Sequence, residues 1–169
     1  MKKSTCGAIA LVICLTGVAC HHEAPVSSSL RISVTDLSGT PVQLSFAGNQ
    51  VTILNLWATW CVPCKAEIKN LIELNAECRT LGCTIIGVAL DSITPEHLKP
   101  AIAALGIPYP VYTGNADEVL TLTGVSAIPA TILFDQNGII VKRLIGYHDK
   151  QELRKAIAEV ISVAKPQLP

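Results

Sequence analysis

Two hydrophobic periods alternate along the chain. Val51 to Ala58 (VTILNLWA) is apolar and β-branched on both faces and is bounded by polar turn residues, the pattern of a strand buried within a parallel sheet. Upstream, Arg31 to Val34 and Val42 to Leu44 read as short strands around Ser38-Gly39-Thr40-Pro41, which predicts an N-terminal hairpin. After Cys61 the period lengthens: Ile68, Leu71, Ile72 and Leu74 recur at helical spacing to about Arg79, and Gly82 can end that helix. Thr84 to Leu90 is a second buried strand. Thr94-Pro95-Glu96 opens a helix with a capping residue and Pro at its first position, running to Gly106. Val111-Tyr112 is a short extended piece and Ala116 to Thr123 a short helix. Thr131 to Phe134 and Ile139 to Ile145 form a hairpin across Asp135-Gln136-Asn137-Gly138, where Asn-Gly is expected to supply the positive φ values of a tight turn. Asp149-Lys150-Gln151-Glu152 is a capping box, opening a helix with Leu153, Ile157, Val160 and Ile161 on one face. This order predicts an α/β fold: one domain over residues 30–165, with a mixed central sheet, helices on both faces and an N-terminal β-hairpin.

Composition narrows the class. The chain has 169 residues, 50% of them hydrophobic, which suits one well-cored domain and excludes disorder. Its 13 Lys plus Arg balance 13 Asp plus Glu, so no nucleic-acid partner is expected. The N-terminus departs from the globular pattern. Met1-Lys2-Lys3 precedes an apolar run from Gly7 to Val18, too short to span a bilayer and of the length found in signal peptides. Residues 1–19 are therefore expected to be a signal peptide, removing Cys6 and Cys14, and residues 20–29 a flexible tether containing APVSSS. Gly17 and Ala19 fit an ordinary signal peptidase. Cys20 directly after Ala19 resembles the lipobox of bacterial lipoproteins, with Gly17 where that motif usually has Leu; this implies lipidation at Cys20 and attachment to a membrane on the outer side of the cell membrane or in the periplasm.

The strongest chemical signal is Cys61-Val62-Pro63-Cys64, placed where a buried strand hands over to a helix. Unpaired N–H groups and the positive end of the helix dipole favour a thiolate on the first cysteine, and the second lies one turn on. Such a pair can attack a partner's disulfide through Cys61 and resolve the mixed disulfide through Cys64. Covalent haem would need His after the second Cys, where Lys65 stands, and a zinc site would need two further ligands in a suitable turn. A purely structural role is disfavoured because short loops make poor staples. Rival readings are a copper-binding chaperone using Cys61 and Cys64 with His97 or His148, and a peroxiredoxin-like antioxidant protein, whose cysteine would be expected outside a CxxC. Cys78 and Cys83 remain as an even pair, either bridged or simply two small buried apolar residues.

Leu54-Asn55-Leu56-Trp57-Ala58-Thr59-Trp60-Cys61-Val62-Pro63-Cys64-Lys65-Ala66-Glu67 resembles the active-site segment of the TlpA/ResA/DsbE-like extracytoplasmic thiol-disulfide oxidoreductases. Gly124 to Asp135, followed by Asn137-Gly138, is similar to that family's cis-proline loop, strand and hairpin. The likeness covers about Leu30 to Ala164. It implies a thioredoxin-like three-layer fold, catalytic Cys61 and Cys64, and a cis Pro129 that presents Ile128 to an extended partner and keeps metals off the thiols. It also implies that Glu67 tunes the thiols or shuttles a proton, and that Asn55 stands where cytoplasmic thioredoxins carry a buried Asp. Trp60 is expected to cover the disulfide and contribute to substrate binding. No metal and no cofactor beyond the Cys61–Cys64 couple is expected. The implied partners are client proteins with disulfides or thiols and a membrane thiol electron donor, in a role of the cytochrome c maturation or copper-site assembly kind.

Overall fold

The computed structural model describes residues 29–164; the expected signal peptide, Cys20 and nearly all of the tether lie outside them. The elements are β1 (Arg31–Thr35), β2 (Pro41–Ser45), β3 (Ala47–Trp57), α1 (Val62–Thr80), β4 (Cys83–Ala89), α2 (Pro95–Leu105), β5 (Val111–Gly114), α3 (Ala116–Thr123), β6 (Ala130–Asn137), β7 (Ile140–Ile145) and α4 (Lys150–Ala164). Seven strands make one sheet in the order β2-β1-β5-β4-β3-β6-β7. β3 runs parallel to β4 and antiparallel to β6, while β1 and β2 form the expected hairpin.

Because side chains alternate across a strand, central β3 feeds two cores. Val51, Ile53 and Trp57 join Ile68, Leu71 and Leu74 of α1, Leu98 of α2 and Leu153 and Ile157 of α4. Leu54 and Leu56 join Val119 of α3, Ile132, Ile32 of β1 and Phe46 between β2 and β3 on the other face. There Phe46 stacks on Phe134 with ring centroids 4.1 Å apart. Gly114 ends β5 where a Cβ would lie 2.8 Å from Val88 and 2.9 Å from Val119, so only glycine lets that strand meet α3 this closely.

Three local expectations are corrected. β3 begins at Ala47 rather than Val51, with a register shift between the two against β6, so the polar segment Gly48–Gln50 joins the sheet despite its composition. Of the Asn-Gly pair only Gly138 has positive φ (76°). Asp135 does the rest, its Oδ1 accepting from the backbone N–H groups of Asn137 (3.0 Å) and Ile139 (2.9 Å). Thr94 takes the N-cap position of α2 as expected, but its side chain caps no backbone N–H; its hydroxyl pairs with His97 Nδ1 at 2.9 Å instead. The capping box at α4 forms as expected, Glu152 N–H donating to Asp149 (2.9 Å) and Asp149 N–H to Glu152 (3.0 Å). At the chain's entry, Leu30 N–H donates to the Gly138 carbonyl in the β6–β7 turn (3.3 Å).

Candidate active site

Parallel pairing with β4 holds the C-terminal end of β3 rigid, and the chain then turns through Ala58-Thr59-Trp60 into α1. Cys61 is the N-cap of that helix, and its sulfur accepts from Cys64 N–H at 3.3 Å. The structure joins Cys61 to Cys64 by a disulfide with Cα atoms 5.3 Å apart. Cys61 is 4% exposed and Cys64 fully buried, whereas flanking Trp60 and Val62 are 70% and 75% exposed. Trp60 is thus largely solvent-exposed beside the disulfide, and Trp57 packs in the core.

Pro129 arrives by register. Ala130, the first residue of β6, pairs with Leu56 near the end of β3, so the segment before it lies at the same sheet end as the turn into Cys61. The Ile128–Pro129 bond is cis, and half-buried Ile128 packs on the cluster that contains both cysteines.

Glu67 sits one turn beyond Cys64 and is fully buried. A buried carboxylate is costly unless its oxygens are satisfied. Oε2 accepts from Thr131 Oγ1 (3.0 Å) and Asn55 Nδ2 (3.3 Å), and Oε1 from the backbone N–H of His148 (3.0 Å). Burial still outweighs these bonds and the nearby His148, so the carboxyl holds its proton above the usual carboxylate range. Neighbouring Tyr109 is pushed far above the ordinary phenol range by burial and by the charge on Glu67. Asn55 Oδ1, Trp57 Nε1 and Tyr109 Oη, all buried, have no hydrogen-bond partner among the described residues. The position that Asn55 fills thus supports the carboxylate of Glu67 rather than providing one.

Two contributors escaped the sequence reading. Asp91, just past β4 and buried, accepts from Thr59 N–H (2.9 and 3.0 Å) and Thr59 Oγ1 (2.6 Å), pinning the turn that delivers Trp60 and Cys61. The β7–α4 loop closes the opposite side: Gly146 N–H donates to the Pro129 carbonyl at 2.8 Å, and His148 reaches Glu67. Neither has a motif; Thr59 and Asp91 are 32 residues apart, Glu67 and His148 81.

His97 is tied to Thr94 at α2, and His148 to Glu67. Among the described residues no three His, Cys, Asp or Glu side chains gather as a metal-binding group. Cys78 and Cys83 are both 2% exposed and are joined by a second disulfide, which connects the end of α1 to the start of β4.

A model of the AhpC/TSA family matches residues 24–143, more than half of the chain. Thiol-disulfide oxidoreductase ResA of Bacillus thuringiensis (strain Al Hakam) is 29% identical over 127 residues, 75% of this chain and 73% of the relative. The protein of that name from Geobacillus thermodenitrificans is 27% identical over 146 residues, 86% and 80% of the two chains. Among solved structures, a thiol:disulfide interchange protein of the thioredoxin family from Chlorobium tepidum superposes with a TM-score of 0.66 at 22% identity, covering 79% of this chain and 95% of that one. The pneumococcal exposed lipoprotein thioredoxin from Streptococcus pneumoniae superposes with a TM-score of 0.65 at 21% identity, covering 76% and 98%. The fold is thioredoxin-like, as the sequence resemblance implied.

Proposed function

The chain belongs to the AhpC/TSA family, and from that premise we propose that it is a thiol-disulfide oxidoreductase of the ResA and DsbE kind, working through the Cys61–Cys64 couple with no other cofactor. The observation that carries this is the disulfide across the first turn of α1, with a buried carboxyl, Glu67, one turn behind it. In the reduced protein, the helix N-terminus favours a thiolate on Cys61, which attacks one sulfur of a client disulfide and expels the other. Cys64 then gives its proton to the Glu67 carboxylate and attacks Cys61, releasing the client as a dithiol and re-forming the disulfide seen here. A carboxyl with raised proton affinity suits both directions of that transfer. Exposed Trp60 and Val62, with half-buried Ile128, provide the apolar surface for an extended client segment, beside the buried Pro129.

The names of the ResA relatives support the activity, and the pneumococcal neighbour is itself called an exposed lipoprotein. On this reading the protein is extracytoplasmic, lipid-anchored through Cys20, supplied with electrons by a membrane thiol donor, and reduces clients in cytochrome c maturation or copper-site assembly. No helix among the described residues is long and apolar enough to cross a membrane.

The test is Cys64→Ser expressed in the native host. Clients caught as mixed disulfides on Cys61, together with insulin reduction by the wild type alone, are the expected result. Peroxide consumption undiminished in Cys64→Ser would support the single-cysteine peroxidase reading instead, and an unreactive Cys61–Cys64 pair would refute exchange.

A further inference from the structure

His148 is the residue at this site to which thiol exchange gives no task. Its side chain is 23% exposed, with Nδ1 3.8 Å from Glu67 Oε1 and 2.9 Å from the Gly146 carbonyl oxygen. A carbonyl oxygen only accepts, so Nδ1 carries a hydrogen and Nε2 is the nitrogen free to gain or lose one. Imidazole is the side chain whose charge ordinarily changes near neutral pH. Burial raises the proton affinity of Glu67 above that of an ordinary carboxylate.

We propose that His148 is a positioning residue for the proton on Glu67. When charged, it keeps the carboxylate ionised; when neutral, it lets the carboxylate take a proton. The rate of thiol exchange then follows the protonation of the His148–Glu67 pair as well as that of the thiols. This rests on the reading of Glu67 as the proton partner of Cys64.

The surroundings single out His148. Facing Glu67 are uncharged Asn55 from β3 and Thr131 from β6, and Tyr109 from the segment before β5, which burial keeps neutral; Cys64 precedes it by one turn on its own helix, here in a disulfide. Around the loop, Lys150 is paired with Glu73 at 2.7 Å, and Asp149 is engaged by the N–H groups of Gln151 (2.8 Å) and Glu152 (2.9 Å). Asn70 donates to Tyr147 Oη (3.3 Å) and to the His148 carbonyl (3.2 Å), holding the loop against α1. The charge that acts on Glu67 is that of His148.

In the reductive half-reaction a donor thiolate attacks Sγ of Cys61, the Cys61–Cys64 bond breaks, and Cys64 leaves with the electron pair. Protonated Glu67 supplies the hydrogen that makes Cys64 a thiol and recovers one from solvent. A second donor thiol then displaces Cys61, which leaves as the thiolate favoured at the helix N-terminus, so two electrons pass from a dithiol to the protein while the donor's protons go to solvent. Lost charge on His148 raises the share of Glu67 ready to donate.

The test compares wild type, His148→Asn and His148→Gln, with and without Glu67→Gln. Asn and Gln do not titrate, and each keeps the backbone N–H to Glu67. In the oxidised proteins, carbon NMR of labelled glutamate side chains is expected to show the Glu67 midpoint rising by about one pH unit or more in both His148 variants. Reduction by dithiothreitol, followed by tryptophan fluorescence between pH 5 and 9, is expected to show a changed pH profile in those variants, with rates relative to wild type changing by up to about tenfold across the range. The Glu67→Gln background should erase that difference. A midpoint unmoved in both variants overturns the proposal, as does a moved midpoint with an unchanged rate profile. Should dithiothreitol fail to reduce even the wild type while the midpoint moves, the exchange reading falls and the pairing stands.

Discussion

Each end of α1 carries a disulfide, and the two are nearly equally hidden: Cys61 and Cys64 are 4% and 0% exposed, Cys78 and Cys83 both 2%. Burial therefore does not separate them. Polarity does. At the N-terminal end, the Cys61 sulfur faces a backbone N–H and the positive end of the dipole, which stabilise a thiolate. At the C-terminal end, the Cys83 sulfur lies 3.2 Å from the Cys78 carbonyl oxygen, where a developing negative charge is repelled. The flanks differ as well. Trp60 and Val62 project beside the first pair, while the second is walled by Leu74, Leu81, Ile157 and the Glu77–Arg154 ion pair. On the proposed function, one helix assigns exchange to one of its disulfides and holding to the other.

The comparison breaks most completely at the first pair. Cys61→Ser should abolish dithiol exchange, read as insulin reduction, whereas Cys78→Ala with Cys83→Ala should leave the rate within about twofold, since the sites are distant. Between the two disulfides, Ile68→Ala opens a cavity beside fully buried neighbours and should cost about 2–5 kcal/mol of stability in urea denaturation. The double alanine variant at the second pair should lose about 2 kcal/mol, the stabilisation expected for so short a closed loop. Asp91→Ala frees the N–H and hydroxyl of Thr59; it should cost about 1–3 kcal/mol and slow exchange by about tenfold or more through misplacement of Cys61.

The smallest effect is a slope. Glu67 binds its proton more tightly folded than unfolded, so its contribution is fully present below the ordinary value of 4.5 and is lost as pH rises through the raised one. Over that window wild type should lose stability relative to Glu67→Gln by at most about 1.4 kcal/mol per pH unit, measured by denaturation at a series of pH values.

What the sequence disclosed follows from the range of the interactions involved. The CxxC turn, the helical spacing after it and the capping box at Asp149 are local patterns, readable within a few residues, and the structure has them. Pro129 needed a resemblance, because an Ile-Pro pair does not announce its isomer or what it faces. Asp91 was illegible as part of the site, and His148 was legible only as a rival metal ligand, not as the partner of Glu67. Nothing near Asp91 in the chain hints at Thr59, and His148 gains its meaning only when β7 returns beside β6 and the next loop is pinned to Pro129. The start of β3 was missed because Gly48, Asn49 and Gln50 are polar, and edge pairing across a register shift does not require an apolar alternation.

The bond from Leu30 to the β6–β7 turn fixes where the domain begins, at the far end of β6 from Pro129. Eight residues of extended chain separate those ends, about 25 Å. The described domain therefore begins at the pole opposite Cys61 and Cys64. On the proposed anchoring through Cys20, a domain held from that side would point its cysteines outward, and the surface it hangs from would not compete with arriving proteins for access to them.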